Sequence, residues 1–281
     1  LLTPIQQCNR SIPYDKLYGQ YIKKVNGVFG CDANDNDILN EAEDGQNVAC
    51  NYIGWQDGLA YADWSGLSPM TEFEFEKACR GPKYPLKNEC VWGDTNIIAT
   101  SALLNAGSAN EMTAVGNCNL STSDSSINKA SRVGMFAKAN TNRTQSGASY
   151  YGIMDLGGNV WERVVRAKKY YALVAYNAYP PRFTDNTFWM IFEKEIDLSY
   201  MFIGNNGNGI IDKEGYSDVD RWPTKGIQFR GSSWGHEMQN TSKRELFYSS
   251  IYISVGNRYQ VNYLDKGWIT GFRCVIRSSV F

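Results

Sequence analysis

Residues 152–162 read G-I-M-D-L-G-G-N-V-W-E, and this stretch decides the fold. Its tandem glycines, Gly157 and Gly158, precede Asn159, a combination suited to a turn that bulky side chains disfavour. Two other stretches share its character: F-R-G-S-S-W at 229–234 and G-F-R-C-V at 271–275. Each sets an arginine inside an apolar, strand-like run beside glycine. Propensity explains none of the three. Glycine weakens a strand, and a charge within an apolar run must find a partner.

Working outward, Asn26-Gly27 predicts a hairpin turn between Tyr21-Ile22 and Val28-Phe29. A polar, acidic stretch follows over 32–46. Tyr52, Trp55, Leu59 and Ala62, with Ile53 and Ala60, fall at helical spacing and predict a helix over 52–64, with Gly66 at its C-terminal end. After Ser68-Pro69-Met70, Thr71 as N-cap and Glu74 at the capping-box position open a second helix over 71–79. Phe73, Phe75 and Ala78 are expected to face inward there, and Gly81-Pro82 ends it. Residues 94–150 have the Asn/Ser/Thr/Gly content of long surface loops. Residues 165–225 read as an insertion, Tyr-rich at its start and ending in G-N-N-G-N-G at 204–209; the loop at 206–212 lacks a leading carboxylate and reads as a plain turn. The chain has no internal repeat.

Together these segments resemble the formylglycine-generating-enzyme family, a branch of the C-type lectin fold. The resemblance spans about residues 50–165 and 226–277, including L-S-P-M-T-E at 67–72, A-C-R-G at 78–81, and Glu74-Phe75 where members usually carry Glu-Trp. It implies an α+β, loop-rich fold with two helices and small mixed sheets, one domain over 1–281. The helices are expected to pack on strands containing Phe229-Arg230-Gly231 and Phe272-Arg273-Cys274. The branch includes enzymes and also the variable binding proteins of diversity-generating retroelements, so the family alone does not give the function.

Composition narrows the choice. With 281 residues the chain can bury a sizeable core; 26 glycines and 14% aromatics favour a loop-heavy domain over a bundle. A net charge of −1 argues against a nucleic-acid surface. No apolar run approaches the roughly 20 residues that span a bilayer. The chain begins at Leu1 rather than Met, as a trimmed chain would, so a removed targeting segment would leave no trace. Seven cysteines form an odd set without metal spacing; both buried free thiols and a bridge, Cys31 with Cys50 for instance, fit the sequence.

Two places carry metal-type spacing. Asp32, Asn34, Asn36, Asn40 and Glu43 occupy positions 1, 3, 5, 9 and 12 of an EF-hand-type calcium loop, with the Ile38 carbonyl at position 7. Asp37 stands at position 6, where the turn favours Gly. The plain alternative is a solvated acidic loop. At the bend, Asn159 and Glu162 can aim two oxygens at one point, joined by the Asn159 and Val160 carbonyls. In the resembled family this segment contributes to a structural calcium site; the alternative is a capped turn with Trp161 filling the core.

Oxidases of the family use a cysteine pair a few residues after the Arg-Gly-Gly-Ser strand, where copper-bound thiolates activate oxygen. Here those positions hold His236 and Thr241, and no cysteine lies between Cys118 and Cys274. The iron-dependent relatives need several histidines, whereas His236 is the only one. No Gly-x-Ser-x-Gly turn accompanies it. No catalytic residue is assigned.

Residues 235–268 are dominated by Tyr, Ser, Asn and Ile. Such a surface resembles a paratope, in which Tyr and Trp give contact area at low entropy cost. It also resembles the product of adenine-directed mutagenesis, and its place before the terminal Gly-Phe-Arg is that of the variable region in retroelement-diversified proteins. The ligand-binding set is then His236, Met238, Tyr248, Tyr252, Tyr259, Asn262, Tyr263 and Trp268, exposed above a buried frame of Trp234, Gly271, Phe272 and Arg273. The ordinary alternative is a hairpin with Phe247, Ile251, Ile253 and Val255 partly in the core. The resulting expectation is a ligand-binding variable protein, not an enzyme, facing a protein or glycan on a cell or virion surface. A divergent oxidase or other enzyme of the fold and a structural surface subunit are its rivals.

Overall fold

Asn26 (φ 49°) and Gly27 (φ 86°) close the turn that joins β1 (Ile22–Val25) to β2 (Val28–Cys31), antiparallel with Val25 opposite Val28. The computed structural model describes residues 14–120, 127–166, 168–169, 195–196, 205–219, 222–223, 227–235, 253, 255, 267 and 269–277.

Helix α1 (Trp55–Trp64) starts later than its periodicity suggests. Tyr52 takes a φ of 58°, outside the helix, and Gly54 is the N-cap, its N–H held by Asp57 Oδ2 at 3.0 Å. The inward face is the predicted one: Trp55, Leu59 and Ala62 pack with Val165, Trp222 and Ile227, and Phe272 meets Trp55 edge-on at 5.6 Å. The helix stops at Ser65 and Gly66, whose φ is 67°. After β3 (Ser68–Pro69), helix α2 (Glu72–Arg80) opens on the predicted capping box: Thr71 Oγ1 accepts from the Glu74 N–H, and Glu74 accepts from the Thr71 N–H. Phe75 is buried, but Phe73 is 47% exposed, against expectation. Side chains two positions apart on a helix point about 200° apart, so only one can face the core. Phe75 wins because the Arg230 guanidinium lies over its ring at 5.1 Å.

A short helix, α3 (Arg143–Ser146), precedes the bend and β4 (Glu162–Val165). Strands β5 (Lys168–Lys169) and β6 (Glu195–Ile196) pair with each other. β7 (Ile227–Arg230) pairs antiparallel with β4, setting Glu162 opposite Arg230 and Arg163 opposite Phe229; β8 (Cys274–Val275) pairs with β3. All ladders among the described residues are two-stranded. Loops fill the rest of the core through side-chain bonds to backbone: Arg143 Nη2, for example, donates to the Cys79 and Val91 carbonyls, both at 2.8 Å. In the 206–212 loop, buried Asp63 accepts from the Asn208 N–H at 2.9 Å and, beyond it, from the Ser217 hydroxyl at 2.8 Å. The rest of the 165–225 insertion lies largely outside the described residues.

Candidate functional site

The three glycine-arginine stretches interlock. The Gly158 N–H donates to the Gly231 carbonyl at 2.7 Å, and the Trp234 N–H donates to the Asn159 carbonyl at 2.8 Å. Trp161 donates to Ile269 at 2.8 Å and accepts from the Gly271 N–H at 2.9 Å. A bend, a strand end and a terminal segment separated by long stretches of chain are thus knotted through their backbones. Apolar faces close around the knot: Trp234 stacks on Tyr18 at 5.6 Å and Trp161 on Phe229 at 5.9 Å. Trp234 and Gly271 are buried as expected, whereas Phe272, packed on Trp55, and Arg273, paired with Glu162, are only half-buried.

The arginines find acids or rings. Arg273 Nε donates to Glu162 Oε1 at 2.9 Å. Arg230, fully buried, meets Glu76 at 2.7 Å and Glu72 at 3.4 Å. Arg163, also fully buried, lies over the Phe229 ring at 4.9 Å. The sequence flagged these arginines as unexplained, but their partners lie tens to more than 150 positions away.

At the bend, the two side chains turn to different partners. Asn159 spends both ends of its amide on Ser131, accepting from its N–H and donating to its carbonyl, each at 3.0 Å. It clamps the Ser131 loop, 28 positions away, rather than capping its own turn. Glu162 keeps Oε2 buried without a hydrogen-bond partner, the kind of orphan that a cation would satisfy. The unpartnered Glu162 Oε2 is the atom at the bend that a cation would answer, beside the Arg273 guanidinium on Oε1; the Asn159 amide is committed to Ser131.

In the 32–43 loop, Asp37 does take the left-handed conformation (φ 65°) that position 6 demands. Asp32 is fully buried and accepts from the Asn36 and Asp37 N–H groups, both at 3.0 Å. The charge arrangement differs from an oxygen shell. Lys23, reaching in from β1, sets its ammonium 3.0 Å from Asp32 and 2.6 Å from Asp35 and from Asp37. Asn34 and Asn36 both donate their amide N–H groups to Glu41 Oε2, at 3.2 and 2.6 Å. Asn40 Oδ1 accepts from the Cys31 N–H at 2.9 Å, Ile38 is 58% exposed and Glu43 is exposed. A lysine supplies the positive charge and a glutamate receives the amides, so these residues do not fit calcium in this arrangement. Lys23 and Glu41 escaped the sequence reading because neither sits at a ligand position of the loop.

The six described cysteines are free thiols, Cys31 and Cys50 among them. Burial pushes the Cys79, Cys90 and Cys274 thiols up to about 12 and Cys50 to about 11. Thiols so placed are poor sources of thiolate at neutral pH.

Asp155, next to the bend, is buried, and burial raises its carboxyl to about 6, although the Gly134 N–H donates to it at 2.6 Å. The native state then holds a proton that the unfolded chain releases near 3.8. Stability contributed by the protonated form is complete below that value and lost as pH rises through about 6. Asp155→Asn should therefore raise stability at pH 7 by about 2 kcal/mol and flatten the pH dependence between those values. Urea unfolding at pH 4 and 7 checks this; an unchanged slope would remove the argument.

Residues 236–252, 254, 256–266 and 268 lie outside the described residues; within 235–268 only 235, 253, 255 and 267 are described. All eight side chains of the ligand-binding set, His236, Met238, Tyr248, Tyr252, Tyr259, Asn262, Tyr263 and Trp268, therefore lie outside them. The described frame at either end is buried: Ser232, Ser233 and Trp234 on one side, Thr270 and Gly271 on the other. The Ser232 and Ser233 hydroxyls have no hydrogen-bond partner, which costs about 1–3 kcal/mol each unless water or a ligand satisfies them. Ile253 and Val255, in contrast, are core residues, as the hairpin alternative had them.

Among the described residues no helix is long and apolar enough to cross a membrane. No curated protein matches the chain. Residues 13–278 match the family model described as the sulfatase-modifying factor enzyme 1-like domain. That match covers nearly the whole chain and agrees with an α+β architecture of few helices and small sheets. The chain belongs to the sulfatase-modifying factor enzyme 1-like family.

Proposed function

We propose that this chain is a ligand-binding member of its family, diversified by a retroelement, that presents residues 235–268 to a protein or glycan target at a cell or virion surface. The observation that carries the reading is the frame. A Tyr/Ser/Asn-rich segment runs between two ends buried and knotted to the 157–162 bend, so its sequence can change while its ends stay fixed. The positions where the family's oxidases carry thiolates hold His236 and Thr241, and the described cysteines sit where burial suppresses ionisation. Oxygen chemistry at copper has no thiolate pair to use in that segment.

The deciding experiment is genomic. A reverse transcriptase beside the gene, with a near-copy of the coding segment for 235–268 differing at adenines, is the expected result. An invariant segment across close relatives with no such copy would overturn the reading. Copper retained through purification, with oxygen consumption, would favour an oxidase instead.

Calcium at the bend belongs to the same proposal, as a brace that lowers the ordering cost of binding. Millimolar calcium added to chelated protein should raise the melting temperature by preferential binding to the folded state. Glu162→Gln should abolish that rise, whereas Asn34→Ala should keep it. A rise that survives Glu162→Gln would place the ion elsewhere.

A further inference from the structure

Val255 stands in the middle of the segment proposed to be presented, yet both its backbone groups are built into a ring of charges, buried at Arg230 and Glu89 and half-buried at Glu76 and Arg80. Its N–H donates to the Glu89 carbonyl at 2.8 Å, and its carbonyl accepts from Arg230 Nη2 at 2.8 Å. Arg230 Nη2 also donates to Glu76 Oε1 at 2.7 Å; Glu76 Oε2 accepts from Arg80 Nη1 at 2.7 Å; Arg80 Nε pairs with the Glu89 carboxylate. The circuit closes on the residue it began with. Glu76 and Arg80 come from α2, Arg230 from β7 and Glu89 from the loop after α2, so parts of the chain far apart in sequence meet at one backbone position.

The side chains agree with the ring. Ile253 is 0% exposed and Val255 1%, inside the cluster of Phe75, Cys79, Val91 and Leu156. A Cβ on Gly157 would lie 3.3 Å from Ile253 Cγ1 and 3.0 Å from Val91 Cγ2. The first glycine of the 157–158 pair thereby leaves the space that Ile253 fills. A buried arginine is costly unless paired and hydrogen-bonded. Here the charges are neutralised around the backbone of Val255.

We propose that Arg230, Glu76, Arg80 and Glu89 are positioning residues that pin Val255, and Ile253 beside it, as an internal anchor of the segment. Its functional meaning rests on the ligand-presenting reading; its structural content does not. Diversity compatible with folding then spares positions 253 and 255, which stay apolar.

Two ligand-free measurements on the full chain test this. Hydrogen exchange should rise about tenfold or more at peptides spanning 250–258 in Glu76→Gln and in Arg80→Met, with β1–β2 unchanged. A library randomised over 235–268 and selected only for protease resistance should return apolar residues at 253 and 255 and mixed residues around them. Unchanged exchange in both variants, or polar residues at 253 and 255 as often as elsewhere, would overturn the anchor. Arg230→Lys, which keeps the charge, guards against a variant that fails to fold. Because neither readout involves a target, failure of the genomic test leaves this result standing, and the reverse holds.

Discussion

Trp234→Ala is expected to destabilise the domain by about 3–5 kcal/mol, the range for removing a large buried aromatic. The side chain is 1% exposed, stacks on Tyr18 and packs against Ala130, Val160 and Ile269. Its backbone N–H completes the knot with the Asn159 carbonyl. Truncation leaves a cavity between the N-terminal part of the chain, the bend and the terminal segment, and these elements have too little regular structure to collapse around it. Against a total margin of about 5–15 kcal/mol, the loss takes much of the domain's stability. Tyr252→Ala and Trp268→Ala should cost within about 0.5 kcal/mol, as surface exchanges do, while weakening target binding. Urea midpoints for the three variants make the comparison. If Tyr252→Ala costs as much as Trp234→Ala, the segment is core and the presentation reading fails.

What could be read from the sequence was local. The Asn26-Gly27 hairpin and the Thr71/Glu74 capping box each depend on residues within a few positions, and both formed as read. The glycine-arginine stretches announced that something unusual met there without saying what. The start of α1 was misplaced because Tyr52 fits the helical period; only the fold shows that Gly54 caps the helix and Tyr52 turns the other way. Phe73 and Phe75 look equivalent until Arg230 selects one of them. The 32–43 loop shows the limit most clearly. Its spacing was right for calcium and its left-handed Asp37 is real, but the charge that sits on its carboxylates comes from Lys23 on a neighbouring strand. Spacing fixes where oxygens can go; it does not say which cation meets them. The inward-facing Ile253 and Val255 could be read only as an alternative, because apolar residues in a Tyr-rich run suit a binding face as well as a core.

Gly231→Ala should be nearly as damaging as Trp234→Ala, at about 3–4 kcal/mol, and Gly27→Ala supplies the control. Both glycines take nearly the same conformation, φ 84° and 86°. An alanine pays about 1–2 kcal/mol for that backbone at either place. Around Gly27 nothing lies within 4 Å of an added Cβ, so strain is the whole cost there. At Gly231 the new carbon would collide with the Leu156 carbonyl oxygen, with the Leu156 carbonyl carbon 3.1 Å away. The obstacle is backbone and cannot rotate aside, so the two chains must part, at an overpacking cost of about 1–3 kcal/mol more. Parting them also lengthens the Gly158 N–H bond to the Gly231 carbonyl and pulls on Trp234. The difference between the two variants therefore measures how tightly the 156–158 and 230–232 segments cross. Equal melting temperatures would mean that the crossing is loose, and that the frame is not the rigid one the proposed presentation of 235–268 requires.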